Sequence, residues 1–289
     1  MPRKLRQPKN RLIRFLWGLE DETRRDRRVR IVYQILRLFT IITLVSSIVF
    51  REYESAFICV LCLILFLIPG FLRRVLRIRV PEVLQIIILL FIFAAEMMGE
   101  LFHFFTRVPG WDTILHTLTG FLMASVGLSL VDLLNSSKAK FSLSPAYMAL
   151  VAFCFALTIG VLWEFFEFGM DVIFRQDMQN DMLISRFTTI GPALSAHGDD
   201  FFVTDVVKTV VETAGGEVYS IEGGYYDIGL YDTMKDLIVT FAGAAVFSVI
   251  GYFSMRNHTD NPFAQTLMLT RAQGDSEENT MTQEEKHDT

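Results

Sequence analysis

The stretch Pro145–Phe174, with the sequence PAYMALVAFCFALTIGVLWEFFEFGMDVIF, decides the fold class of this chain. It contains no Lys or Arg and three acidic residues, Glu164, Glu167 and Asp171. At about 1.5 Å per residue, a helix of this length exceeds the roughly 30 Å of hydrocarbon in a bilayer. The spacing of three and four residues places the three carboxylates on one face of the helix. The stretch therefore predicts a transmembrane helix that carries a polar stripe near its end.

The composition of the whole chain is typical of a multi-pass membrane protein and argues against a water-soluble enzyme. Of its 289 residues, 52% are hydrophobic and 26 are Phe, and the mean hydropathy is +0.38, which is high for a soluble domain. We therefore expect an all-α polytopic membrane protein with a small α/β insertion outside the membrane. The six predicted transmembrane helices are 31–50, 53–72, 81–105, 111–134, 145–174 and 231–255.

The basic residues predict which side of the membrane each loop occupies. Of the 27 Lys and Arg residues, 20 lie in the first 30 residues, in segments 73–79 and 138–140, and after residue 255. The loops on the other side hold five. Because basic residues concentrate in cytoplasmic loops, both termini are predicted to be cytoplasmic. The predicted location is the cytoplasmic (plasma) membrane of a bacterium.

The parts outside the spans divide into three segments. Residues 1–30 form a basic cytoplasmic segment, 175–230 an extracytoplasmic cap, and 256–289 an acidic tail that is predicted to be disordered. Residues 31–174 hold the first five spans and 231–255 the sixth. Within the cap we expect a helical stretch near 204–213, followed by a hairpin made from 217–221 and 225–228.

Acidic and histidine side chains recur in the last four predicted spans, at spacings that place each set on one helix face. From the directions of the helices, the sets lie at the outer half of the bilayer. A lone carboxylate at mid-membrane costs roughly 2.5 to 3.5 kcal/mol, so the stripes are expected to face one another. Close carboxylates cannot all be ionised without a bound cation or held protons. The residues are Glu96, Glu100, His103, Asp112, His116, Glu164, Glu167, Asp171, Asp232 and Asp236.

Two six-residue segments repeat each other at the start of two inward-running helices. Segment 111–116 (WDTILH) matches 231–236 (YDTMKD) as aromatic, Asp, Thr, two variable residues and an ionisable group. The two hairpins have the same orientation, so a pseudo-two-fold axis along the membrane normal is predicted. In that arrangement Asp112 superposes on Asp232, and His116 superposes on Asp236.

Some of these residues also fit purely structural roles. Asp112 and Asp232 stand at helix starts, where a carboxylate can cap the helix. Glu96, Glu164 and Asp236 could belong to salt bridges or hydrogen bonds that hold helices together. These alternatives remain open at the level of the sequence.

Three segments resemble the YjdF-like family of bacterial multi-pass membrane proteins. They are 163–171 (WEFFEFGMD), 177–179 (DMQ) and 229–238 (GLYDTMKDLI). The motif Asp112-x-x-x-His116-x-x-x-Gly120 is also similar to the opening motif of VanZ-like proteins, which are linked to glycopeptide resistance. In that group the later motif pairs Asp with Asn, whereas this chain has Asp236. The resemblance implies a shared membrane fold and site, and it leaves the reaction open.

Three functional classes are compatible with these features. The favoured one is a divalent-metal-dependent enzyme, using Mg, Mn, Fe or Zn, that acts on a lipid-linked or interfacial substrate. The others are a cation- or proton-coupled transporter, and a non-catalytic receptor or assembly protein. The expected partners are the bilayer and a lipid-linked substrate, with no nucleic acid.

The site is assigned by residue. Glu164, Glu167, Asp236 and His116 are the predicted catalytic residues. We expect Glu96, Glu100, His116, Glu164, Glu167 and Asp236 to converge in one cavity. The predicted metal ligands are Glu96, Glu100, Asp112, His116, Glu164, Glu167, Asp171, Asp232 and Asp236.

Overall fold

The computed structural model describes residues 24–75, 78–137, 143–189, 201–256 and 267–271. This part of the chain is mostly helical, so the predicted all-α polytopic class is confirmed. The basic segment 1–30 lies largely outside the described residues. The helices are α1 (Arg24–Phe50), α2 (Tyr53–Leu65), α3 (Ile68–Val75), α4 (Glu82–Ile92), which continues as the π-helix Phe93–Leu101, α5 (Phe104–Arg107), α6 (Trp111–Ser137), α7 (Pro145–Phe174) and α8 (Leu230–Arg256).

Within the described residues, six helical stretches are long and apolar enough to cross a membrane. The second and third of these stretches are not the continuous spans that the sequence predicted. The second is interrupted after Leu65, where Pro69 lacks the N–H that a continuous helix would donate to that carbonyl. The third ends at Leu101, because His103 adopts a left-handed conformation with φ +58°. The stretches are Arg27–Phe50, Tyr53–Phe71, Glu82–Leu101, Trp111–Asn135, Pro145–Phe174 and Leu230–Arg256.

The helices pack in two groups. Helices α6, α7 and α8 pack on one another, while α1, α2 and α4 with its π-helical end form the second group. The core of the first group includes Leu122, Leu128 and Phe247, and Leu84 of α4 joins it. The α4 helix therefore connects the two groups, and the α6–α7–α8 group holds most of the acidic stripes.

Helices α6 and α8 touch through their backbones at two glycines. A Cβ added at Gly120 would overlap the carbonyl oxygen of Thr240, and one added at Gly243 would overlap that of Thr117. The two contacts are reciprocal, as a pseudo-two-fold axis requires. They pair Thr117 with Thr240 and Gly120 with Gly243. This register differs by three residues from the one that the Asp112–Asp232 match predicted. The closest contact between the helices is thus set by the small residues.

The insertion between α7 and α8 consists of short antiparallel strand pairs in its described residues. The strands are β2 (Met182–Ile184), β3 (Phe187–Thr189), β4 (Phe201–Val203), β5 (Lys208–Glu212), β6 (Val218–Glu222) and β7 (Tyr225–Asp227), paired as β2–β7, β3–β4 and β5–β6.

The predicted helical stretch near 204–213 is wrong. Residues Lys208–Glu212 form strand β5, since Thr209, Val210 and Val211 are β-branched and favour a pleated strand over a helix. Strand β6 pairs with β5, with Lys208 opposite Glu222, and β7 pairs with β2. The predicted hairpin between 217–221 and 225–228 is therefore wrong, because β6 and β7 pair with other strands.

A short segment near the carboxyl end returns to the bundle. Leu267 and Leu269 are buried, and Thr270–Arg271 (β8) pairs with Ile78–Arg79 (β1). On α6, Ser125 Oγ donates a 2.7 Å hydrogen bond to the Leu267 carbonyl oxygen. The expectation of a disordered tail therefore does not hold for 267–271. The two leucines give this segment an apolar face, although the tail as a whole is acidic.

Candidate functional site

Five of the predicted site residues meet where α6, α7 and α8 approach the insertion. Asp112 and His116 lie on α6, Glu164 and Glu167 on α7, and Asp236 on α8. Among the described residues, two groups have ligand atoms within 4.8 Å of one another: Asp112, His116 and Asp236, and His116, Glu164 and Glu167. His116 is common to both. We call these the aspartate group and the glutamate group.

The His116 ring links the two groups through its two nitrogens. Its Nε2 lies 3.3 Å from Asp112 Oδ1, one turn earlier on α6, and its Nδ1 lies 3.8 Å from Glu164 Oε1 on α7. Thr240 Oγ1 on α8 donates a 3.2 Å hydrogen bond to the His116 carbonyl oxygen. Residues of all three helices therefore contact His116.

A lysine compensates the aspartate group. The Lys235 ammonium lies 2.6 Å from Asp232 Oδ1, 3.1 Å from Asp112 Oδ2 and 3.6 Å from Asp236 Oδ1. The Asp236 side chain is 2% exposed, while that of Lys235 is 37% exposed. Lys235 was not among the site residues assigned from the sequence, although it stands between Asp232 and Asp236 in the second repeat.

The glutamate group lacks such a compensating ammonium in the described part of the chain. Trp163 Nε1 donates a 2.7 Å hydrogen bond to Glu167 Oε1. Glu164 Oε2 is buried and has no hydrogen-bond partner among the described residues. A buried carboxylate oxygen without a donor is costly, so the glutamate group is incomplete in its charge and in its hydrogen bonds.

Asp171 and Asp232 hold the first residues of the insertion over the site. Asp171 accepts hydrogen bonds from the backbone N–H groups of Met178 and Gln179, at 2.7 and 2.9 Å. Asp232 Oδ2 accepts from the Asn180 backbone N–H at 3.0 Å. These two aspartates are therefore occupied by protein donors and fix the segment that covers the cluster.

Acidic groups crowd this covering segment. Burial, together with the nearby Asp171 and Asp232 carboxylates, raises the pKa of Asp177. Burial and neighbouring carboxylates likewise raise the pKa of Asp181, whose Oδ2 accepts a hydrogen bond from the Tyr226 hydroxyl. Carboxylates of the insertion therefore lie close to those of Asp171 and Asp232.

The capping role considered for Asp232 belongs to another residue. Asp227, which the sequence analysis did not single out, accepts a 2.8 Å hydrogen bond from the Tyr231 backbone N–H in the first turn of α8. Asp227 precedes the helix by three residues, a position from which a carboxylate reaches the unpaired amides of the first turn. Asp232 is therefore free to contact Lys235 and Asn180.

The structure brings neither Glu96 nor Glu100 into the two groups. Both lie on the π-helical end of the third span, where Glu96 is near Glu100 and Cys62. His103 immediately precedes α5, beyond the end of that span. The helix face that Glu96 and Glu100 occupy depends on the π-helical winding, which the sequence pattern did not reveal.

Two comparisons with known proteins found similar sequences. A family model described as "Predicted membrane protein (DUF2238)" matches residues 31–257, which agrees with a membrane fold. An uncharacterized protein of Thermotoga maritima is 24% identical over 128 residues, which are 43% of this chain and 65% of the relative. The chain thus covers less than two thirds of that relative's length. No solved structure matches the chain. The expected resemblance to a family of multi-pass membrane proteins is confirmed.

Proposed function

We propose that this chain, which belongs to the DUF2238 family of predicted membrane proteins, is a membrane-embedded enzyme that depends on a divalent metal. The metal binds at the glutamate group, through His116, Glu164 and Glu167. The substrate is lipid-linked or interfacial, and the site opens on the extracytoplasmic side. The observation that carries the proposal is the buried, unpartnered Glu164 Oε2 beside a histidine nitrogen and a second carboxylate.

Charge compensation favours the glutamate group as the metal position. Lys235 already supplies a positive charge to the aspartate group at 3.1 and 3.6 Å. Glu164 and Glu167 are both buried and have His116 as their nearest basic group. Two close carboxylates in a low dielectric need a cation or a proton, and a divalent ion satisfies both carboxylates and the imidazole together.

Asp112 is placed to orient the histidine. A metal-bound histidine donates its other ring N–H to a carboxylate or carbonyl, which fixes the tautomer. With Asp112 Oδ1 at 3.3 Å from Nε2, the proton is held on Nε2 and the Nδ1 lone pair is directed toward Glu164. Asp112 therefore acts as a positioning residue.

A bound divalent ion would supply Lewis acidity toward a phosphoryl or carbonyl oxygen and lower the pKa of a water molecule. The protein surface beside the glutamate group fits a substrate with an apolar chain. On α7, Phe165, Phe166 and Phe168 alternate with the two glutamates and are exposed on the outer surface of the helix. In a bilayer this surface contacts lipid, so a lipid-linked substrate can reach the site from the side.

The packing beneath the site supports an enzyme over a transporter. Below His116, Gly120 and Gly243 bring the α6 and α8 backbones into contact. The Phe121 and Phe247 rings then meet edge to face at 4.9 Å. A transport path would have to separate this packed layer, whereas a site that opens on one side needs no such movement.

The test is the metal content of the purified full-length protein and its variants. Wild-type protein loaded with Mn²⁺ or Zn²⁺ and dialysed is expected to retain one ion per chain by mass spectrometry. Glu164→Gln and Glu167→Gln remove one charge each with little change in volume and should weaken binding more than about tenfold. Glu54→Gln, at an exposed glutamate in the first turn of α2, is the matched control. Metal-free wild-type protein, or full retention in both glutamine variants, would overturn the proposal.

A further inference from the structure

We infer that the Lys235 ammonium occupies a second cation position in this site, and that a divalent cation takes this position when the ammonium moves out. The inference rests on the proposed function for the identity of the first position. It predicts two neighbouring cation positions of different chemistry, one of them held by the protein's own side chain.

The contacts of the ammonium define the second position. Its Nζ lies within 3.6 Å of oxygens from three carboxylates, those of Asp112, Asp232 and Asp236. A cation near that point is therefore within reach of three oxygen ligands. One of these oxygens, Asp236 Oδ1, is buried and accepts no hydrogen bond from the described residues, with the ammonium 3.6 Å away. Asp236 is 1% exposed, so water is a poor substitute for a cation there.

The chemistry of the two positions differs. The second position presents carboxylate oxygens alone, which suit hard cations such as Mg²⁺, Ca²⁺ and Mn²⁺. The first position includes a histidine nitrogen, which suits Zn²⁺, Fe²⁺ and Mn²⁺. The His116–Asp112 contact uses Asp112 Oδ1, and the ammonium contacts Oδ2, so one carboxylate can serve both positions.

Lys235 is exposed enough for its ammonium to move out of the site. Its side chain is 37% exposed, and a lysine stem of four methylene groups can carry the ammonium to the surface. Asp232 keeps the hydrogen bonds from Asn180 after the ammonium has moved. A divalent ion then replaces a single positive charge among three carboxylates, which is electrostatically favourable.

The test compares Mn²⁺ stoichiometry in wild-type protein and in Lys235→Met, which keeps the stem and removes the charge. At an Mn²⁺ concentration that saturates one site in the wild type, we expect one ion per chain in the wild type and two in Lys235→Met. Lys208→Met, at an exposed lysine on β5, should match the wild type. Adding Asp232→Asn to Lys235→Met should remove the gained ion.

The outcomes separate this inference from the proposed function. A metal-free wild type with one ion gained in Lys235→Met would refute the first position and retain the second. Equal stoichiometry in the wild type and Lys235→Met would refute the second position. If Lys235→Met does not give folded protein, Lys235→Gln provides the same comparison, and folding is checked by gel filtration. Two ions already present in the wild type at this concentration would also contradict the inference, because the ammonium would not be competing.

Discussion

His116 is the residue on which both halves of the site depend. Each ring nitrogen faces a carboxylate from a different side, Asp112 on its own helix and Glu164 on α7. A neutral imidazole can donate from one nitrogen and bind a metal through the other. The direction of the ring therefore decides whether the glutamate group can hold a metal.

Asp112→Asn tests this dependence. The amide can present its N–H to Nε2, which would favour the tautomer with the proton on Nδ1 and direct that N–H toward the metal. We expect metal affinity to fall about 10- to 100-fold, with little change in the yield of folded protein. Asp132→Asn, on the same helix and outside both groups, is the control. Unchanged metal affinity in Asp112→Asn would show that Asp112 does not orient the ring.

At the residue scale, much of the site was predictable from the sequence. The spacing of Glu164 and Glu167 and that of Asp112 and His116 placed each pair on one helix face. Lys235 was not assigned to the site, because its position between two aspartates does not by itself show which carboxylates its long side chain reaches.

Among the secondary structure elements, the α6–α8 contact sets the position of the site. Gly120 and Gly243 allow the two backbones to touch just below His116 and Asp236. Small residues at helix crossings in membranes permit this close approach. The distance across the aspartate group therefore depends on the absence of a side chain at these positions.

Gly120→Ala should lower thermal stability, since the added Cβ would overlap the Thr240 carbonyl oxygen. Forcing an extra methyl group into a packed interface typically costs about 1 to 3 kcal/mol. Gly169→Ala on α7 is a control of the same chemistry, because its Cβ would meet no atom within 4 Å. There the higher helix propensity of alanine should leave stability unchanged or raise it. Melting curves in detergent provide the measurement, and equal melting temperatures for the two variants would contradict the contact.

Two features of the third span were not predicted from the sequence. The helix breaks at His103, and Phe93–Leu101, which contains Gly99, winds as a π-helix. The apolar periodicity continued through both features. The strand Lys208–Glu212 was predicted as part of a helix, although Thr209, Val210 and Val211 are β-branched.

For the molecule as a whole, the orientation in the membrane decides which compartment supplies the substrate. The 20 to 5 distribution of basic residues predicts cytoplasmic termini and an extracytoplasmic insertion. On a cysteine-free background, a cysteine at position 220 of β6 should react with an impermeant thiol reagent in intact cells. A cysteine at position 276 should react only after permeabilisation. The reverse pattern would place the site on the cytoplasmic side.

A divalent metal between α6 and α7 can be located by anomalous X-ray scattering from crystals of Mn²⁺-loaded full-length protein. We expect an anomalous peak within bonding distance of His116 Nδ1 and of the carboxylates of Glu164 and Glu167. The same peak should be absent from crystals of Glu164→Gln. A glutamate group without a peak in the loaded wild-type protein, or with a peak unchanged in Glu164→Gln, would show that these residues do not bind the metal.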